Sequence, residues 1–488
     1  MQNVNFLWQF ILETGVLQTK CCKILSRTTP PEAESILPRN LLQNLGSRFV
    51  QRSLHVIVIF ILFVGNNLNI IAKDAIDITD FKDSSGKYDN AVYDQRFRSI
   101  ELYNSGAQLS NAIITLNTSE SLTCCFDEIN PLNETYYYTA IHCNADWSAS
   151  ELLVSEYLTG MTEGIIDSYA PSLSTFIPYH HYEFTFPNDN FSLQLSGNYI
   201  LIVFSPNGSG GMQIKFMHRF MVAEQNVSIS GKVIRAQDVD AIDIKQDVQV
   251  SVNTNGYRIH SPFRDLHLAI LQNGRWDNAL TQLKPFMVSG TTIDYTHLDG
   301  SNYFDGSNEF RYVNLTSLRG VTDVIRNIEQ TDTGYYVTLW EREKRTFKVY
   351  TNTGDADGHF LIKNVDFPDG ATSGEYVWVR FFLPYDFPVT HGDVYVAGSF
   401  NGWNFNEENR MRYNYVRKGY MKDMLMKQGY FDYMFALLPH GSTIADLTFF
   451  EGNHSETENQ YLILLYQRKP GEMYDRLIGL TNLSYPEK

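Results

Sequence analysis

This sequence predicts an all-β chain of three consecutive β-sandwich domains. Its 488 residues exceed one ordinary domain, and a prior of roughly 150 residues each divides them into about three. The 30 Tyr, 31 Phe and 32 Gly favour strands joined by turns, because aromatic rings suit a half-buried pleated surface and Gly supplies the bends. Runs such as "RSIELYN", "ETYYYTAIHC" and "SGNYILIVFS" alternate with loops rich in Asn, Pro, Ser and Gly, and helical periodicity is scarce.

The first 73 residues read as a leader. Arg48 and Arg52 precede an apolar run from Leu54 to Val64, after which a polar stretch leads to "IIA" before Lys73. That run has the length of a signal-peptide core (54–64) and is too short to span a bilayer, so cleavage is expected near Ala72. The residues before it contain no second Met. They are either a genuine extension or a start assigned too early, and the second is preferred. No Cys follows the run closely, so no lipid anchor is expected on the mature chain.

Beyond the leader, turn signals divide the chain into 87–224, 226–374 and 375–482. The first stretch reads as a sandwich because short strands recur between turn clusters. The second runs from "NVSISGKVIRA" through "FRDLHLAILQNGRWDN" to "RTFKVYTN", and the third opens after "DGATSGEY". No repeat at a fixed solenoid period is visible.

A formal net charge of -16 excludes a nucleic-acid surface, which needs clustered Lys and Arg. Cys124, Cys125 and Cys143 follow the leader; adjacent strand residues point to opposite faces, so at most one of the first pair can meet Cys143, and burial as small hydrophobes is an equal reading. The same argument separates His142 from Cys143 as a catalytic dyad, and His180 from His181 as joint metal ligands unless a third group comes from elsewhere. Asp146 and Trp147 read as the start of a turn. "TGDADGHF" holds Asp355, Asp357 and Gly358 but begins on Thr353 and lacks the closing Glu of a calcium loop, which makes it a polar turn. Glu407 and Glu408 read as a solvated loop rather than a facing pair for glycoside hydrolysis. No phosphate loop, nucleophile elbow or zinc motif is present, so no catalytic, cofactor or metal residues are expected.

Seven stretches, among them "YDNAVYDQRFRSIELYNSGAQLS", "YYYTAIHCNADWSASELLVSEYLTG", "GSNEFRYVNLTSLR" and "FFLPYDFPVTHGDVYVAGSFNGWNFNEENRMRYN", occur in one order over about 87–480. Through them the sequence resembles the type IX secretion system plug proteins of the Bacteroidota. The resemblance implies three immunoglobulin-like or early-set sandwiches without enzyme activity or cofactor. It implies a periplasmic protein at the inner face of the outer membrane, attached peripherally through protein. Its partner would be the translocon barrel, whose periplasmic opening it would seal; no small-molecule substrate and no nucleic acid are expected.

Two other readings are weighed. Residues 393–466 also resemble a glycogen-binding module, with "VYVAGSFNGW", "GYFDYMFAL" and a closing strand "YLILLY", which makes Trp403 the candidate carbohydrate residue of a periplasmic carbohydrate-binding protein. Sugar platforms use a second aromatic face. The stretch "GSTIADLTFFEGNHSETENQ" has no Trp there, only Phe449 and Phe450, so Trp403 is expected to pack over its own turn instead. An exported adhesin is the third reading, and no dedicated C-terminal sorting domain is recognised for it.

Overall fold

The computed structural model describes residues 86–486 apart from 133, 208–210 and 368. The apolar run at 54–64 and the cleavage expected near Ala72 lie outside the described residues. Nearly all regular structure in them is β, and each α-helix among them is a single four-residue turn.

The strands form sandwiches around three main hydrophobic cores. In the first, Phe97–Asn104, Leu122–Ile129, Tyr179–Phe186 and Tyr169–Pro171 make one sheet, and Met212–Ala223, Gly197–Pro206, Tyr136–Cys143 and Gly164–Ile166 make most of the other. Alternate residues meet between them: Phe97, Phe126, Tyr136, Tyr182, Phe186 and Phe216 are buried in one cluster, with Phe126 stacked on Tyr182 at 4.9 Å between centroids.

The second sandwich is discontinuous in sequence. Ser228–Arg235, Lys245–Asn253 and Thr292–Asp294 form one sheet; Leu280–Leu283, Leu266–Gln272, Asn459–Gln467 and Arg476–Tyr485 form the other. Val248, Val250, Leu268 and Ile270 share their core with Tyr461, Ile463, Leu465 and Ile478. The third sandwich lies between these halves in the chain. Its sheets are Ile325–Thr331, Gly334–Leu339, Tyr376–Pro384, Gly419–Lys427 and Arg412–Asn414 against Gly429–Pro439 with its partners Arg311–Asn314, Phe360–Ile362 and Gly392–Ala397.

Two expected boundaries are therefore corrected. The line between 374 and 375 is crossed by a parallel ladder joining Tyr335–Thr338 to Val377–Arg380. The end of the third unit at 482 is wrong as well, because "YLILLY" pairs with Leu266–Gln272 and closes the second sandwich rather than the module at 393–466. The physical reason is that strand pairing pays no attention to chain order, and an inserted sandwich leaves the local period of its flanks unchanged.

Two strands read as unbroken apolar runs because both faces are covered. In Gly197–Pro206, Tyr199, Leu201 and Val203 point into the first core, and in Asn459–Gln467 Tyr461, Ile463 and Leu465 point into the second. Their other faces are buried too, and the Tyr466 hydroxyl donates to Asn198 Oδ1 across that boundary at 2.7 Å. A strand that packs on both sides has no polar half to alternate.

Candidate functional site

Trp403 closes a turn. Gly402 and Trp403 sit at φ 63° and 58°, and the Trp403 amide donates to Gly398 O at 3.2 Å. A left-handed backbone at a bulky residue persists only where surrounding contacts hold it. Here the indole is 8% exposed, packed with Phe310, Tyr395, Met434 and Leu447. The guanidinium of Arg275, from the second sandwich, lies 5.4 Å from its ring centroid. Neither face is a sugar platform. Of the expected second face, Phe450 is fully buried and Phe449, half-buried, packs edge-on against it at 4.7 Å.

Arg275 belongs to a wider junction. It forms a two-pronged ion pair with Asp277 at 3.0 and 2.7 Å and donates to Ala445 O at 3.0 Å, while Ala445 N donates back to Asp277 Oδ2 at 3.1 Å. Its neighbour Trp276 meets Trp147 of the first sandwich edge-on at 4.9 Å, and Arg219 caps Trp147 at 4.4 Å. Asn404 Nδ2 donates to Asn90 O at 2.9 Å. Each sandwich thus supplies one Trp, and arginines lie over their faces.

A second junction joins the first and third sandwiches through a buried charge pair. Lys427 Nζ lies 2.6 Å from Asp127 Oδ2, both side chains being 1% exposed. The Tyr376 hydroxyl donates to the same oxygen at 2.7 Å, His181 Nδ1 lies 2.7 Å from Oδ1, and Lys427 also donates to Ala371 O at 2.6 Å. Lys427 further sits 4.3 Å from the Tyr179 ring centroid, and the Tyr179 hydroxyl donates to Gly374 O at 2.9 Å. Burial, and then the Asp127 charge, push the Tyr376 phenol well above its ordinary range. The second sandwich reaches the first through Arg476 and Glu224 at 3.0 Å and through Asp475, which accepts from Ala145 N at 2.9 Å.

The other candidates make contacts within the fold. His142 Nε2 lies 3.1 Å from Ser196 O, and its ring meets Tyr199 and Tyr474 edge-on at 4.8 and 5.3 Å. Cys143 is buried, and no disulfide joins it to Cys124 or Cys125. Asp146 accepts from the Ser148 hydroxyl and amide, and Asp355 accepts from the amides of Phe310 and Asp357. Glu407 pairs with Arg410 and Arg412, and Glu408 with Arg98 of the first sandwich. His180 stacks on Tyr169 at 4.7 Å, away from His181.

Burial lowers the His142 pKa to about 4. An imidazole held neutral in the fold but protonated when unfolded contributes stability above pH ~6.5 that is lost as pH falls toward 4. Between pH 7.5 and 5 this residue is expected to remove about 2 kcal/mol. Urea unfolding should show His142→Phe losing that much less than the wild type over the same interval; equal losses would contradict the assignment.

Among exposed side chains, Tyr336 and Trp378 are register neighbours in the third sandwich, 39% and 37% exposed, and the Arg380–Asp423 ion pair lies beside them. Residues 97–224, nearly all of the first sandwich, match the family model described as the type 9 secretion system plug protein 1st domain. The chain belongs to the type IX secretion system plug family. Membership ties it to type IX secretion and to a non-catalytic structural family, and points to the periplasm or cell envelope. A crystal structure of a hypothetical protein from Parabacteroides merdae ATCC 43184 is similar at 32% identity and a TM-score of 0.78, over 82% of this plug-family chain and 99% of that chain. No curated protein matches. No helix among the described residues is long and apolar enough to cross a membrane.

The junctions themselves were not legible in the sequence. "GRWDN" and "HCNADW" each carry a Trp next to charged or turn residues, which is the one signal that could have found them.

Proposed function

We propose that this chain seals the periplasmic opening of the outer-membrane translocon barrel of the type IX secretion system while no cargo is passing, and catalyses no reaction. The observation that carries the proposal is the plug-domain match over residues 97–224, nearly all of the first sandwich. The physical requirement agrees with it: a barrel wide enough for folded cargo leaks small solutes unless a broad, stiff body covers it. Sandwiches joined by a buried ion pair and a Trp–Arg junction supply breadth, and the contacts at both junctions oppose their moving apart. Tyr336, Trp378 and Arg380 are side-chain types that anchor interfaces, and they are available on the third sandwich.

Carbohydrate binding loses its motivation because Trp403 is enclosed by residues of two sandwiches. The test is affinity purification of the tagged chain from solubilised outer membranes. A very large outer-membrane barrel protein is expected to co-elute in near-equal amount. Elution without such a partner, from membranes that contain the barrel, would contradict the proposal.

A further inference from the structure

Strand Leu122–Ile129 runs between Phe97–Asn104 and Tyr179–Phe186, and the register places Glu101, Cys125 and Glu183 in one row and Asp127 beside His181 in the next. Cys124 and Phe126 turn into the first core, so this row occupies the outer face of the sheet. One donor atom from each of Cys125, His181 and Glu183 lies within 4.8 Å of the other two. Thiolate, imidazole and carboxylate together form the donor set of zinc and its neighbours among the divalent transition metals, whereas calcium and magnesium prefer oxygen alone.

We propose that Cys125, His181 and Glu183 form a binding site for a zinc-class divalent transition metal ion. The surroundings of His181 favour this role. Asp127 Oδ1 lies 2.7 Å from His181 Nδ1, an arrangement that holds the proton on Nδ1 and leaves Nε2 with the lone pair a metal needs. Asp127 is itself fixed by Tyr376 and Lys427 of the third sandwich, so Asp127 is a positioning residue for the site. His180, on the opposite face, takes no part; the third group that adjacent histidines lack is supplied by the cross-strand register.

Around the ligands, Glu101 faces Cys125 in register and accepts from Gln108 at 3.0 Å, and the Tyr103 hydroxyl lies 3.6 Å from Cys125 Sγ. Glu183 is exposed, which gives an ion a route from solvent and leaves the fourth coordination position to water. On binding, the thiol proton leaves to solvent and the sulfur coordinates as thiolate, with no change of oxidation state.

The experiment uses the mature chain without a polyhistidine tag, stripped by chelator and titrated with cobalt(II), whose thiolate charge-transfer absorption reports a cysteine–metal bond. One equivalent is expected to develop the band. Cys125→Ser should abolish it and Cys143→Ser should keep it, and Asp127→Asn made together with Lys427→Met, which leaves no unpaired buried ammonium, should keep it but require about tenfold more cobalt. Glu183→Gln, a change at an exposed position, should weaken zinc binding at least tenfold by calorimetry with an unchanged circular dichroism spectrum. Absence of the band in the wild type, its persistence in Cys125→Ser, or unchanged zinc affinity in Glu183→Gln would overturn the site.

Discussion

Replacing Lys427 with Ala is expected to destabilise the protein by about 3–5 kcal/mol, the cost of leaving a buried charge without its partner. Asp127 has no solvent to turn to, since both side chains of the pair are 1% exposed and come from different sandwiches. Tyr376 and His181 still reach its oxygens, but between them they supply hydrogen bonds and not the lost ammonium. Calorimetry should show the first and third sandwiches unfolding together in the wild type and separating into distinct transitions in the variant. The pair Asp127→Asn with Lys427→Met should recover more than half of the loss, because removing both charges removes the uncompensated one. A Lys427→Ala variant within about 0.5 kcal/mol of the wild type, the range of ordinary surface changes, would show that the junction carries no strength.

Trp403→Ala is the second large effect, expected at about 3–5 kcal/mol. The indole fills space among Phe310, Tyr395, Met434 and Leu447 and carries Arg275 on its face, so its loss opens a cavity and unseats a cation held for the neighbouring sandwich. An alanine at φ 58° keeps the backbone strain without the packing that sustains it. The wild type should pass an amylose column unretarded. Retention on amylose that disappears in Trp403→Ala, with unchanged melting temperature, would restore the carbohydrate reading.

Much of the architecture was legible because local chemistry specifies it. Alternation in "RSIELYN" and "ETYYYTAIHC" marks strands with one face on a core, and both stretches lie in strands of the first sandwich. The unbroken runs "YILIVF" and "YLILLY" were readable as strands but not as strands covered on both sides, because the covering residues belong to another sandwich. Assignment of "YLILLY" to the third unit failed for the same reason: its partner, Leu266–Gln272, is known only from pairing.

The functional residues divide in the same way. Trp403 was expected over its own turn; it packs instead among Phe310, Tyr395, Met434 and Leu447 with Arg275 on its ring, and nothing next to position 403 encodes that cap. Adjacent His180 and His181 were separable by strand period alone. Glu183 shares a face with His181 by the same period, but Cys125 joins them only once Leu122–Ile129 and Tyr179–Phe186 are placed in register.

The proposed role of this body is to close a wide pore. Its most direct test is the entry of a solute too large for ordinary porins into cells that lack the chain but retain the translocon. Entry is expected to rise on deletion, to return to the low wild-type level with the wild-type gene, and to return only partly with Lys427→Ala, whose first and third sandwiches are expected to separate. Entry that is unchanged on deletion, with the translocon present in normal amount, would contradict that role.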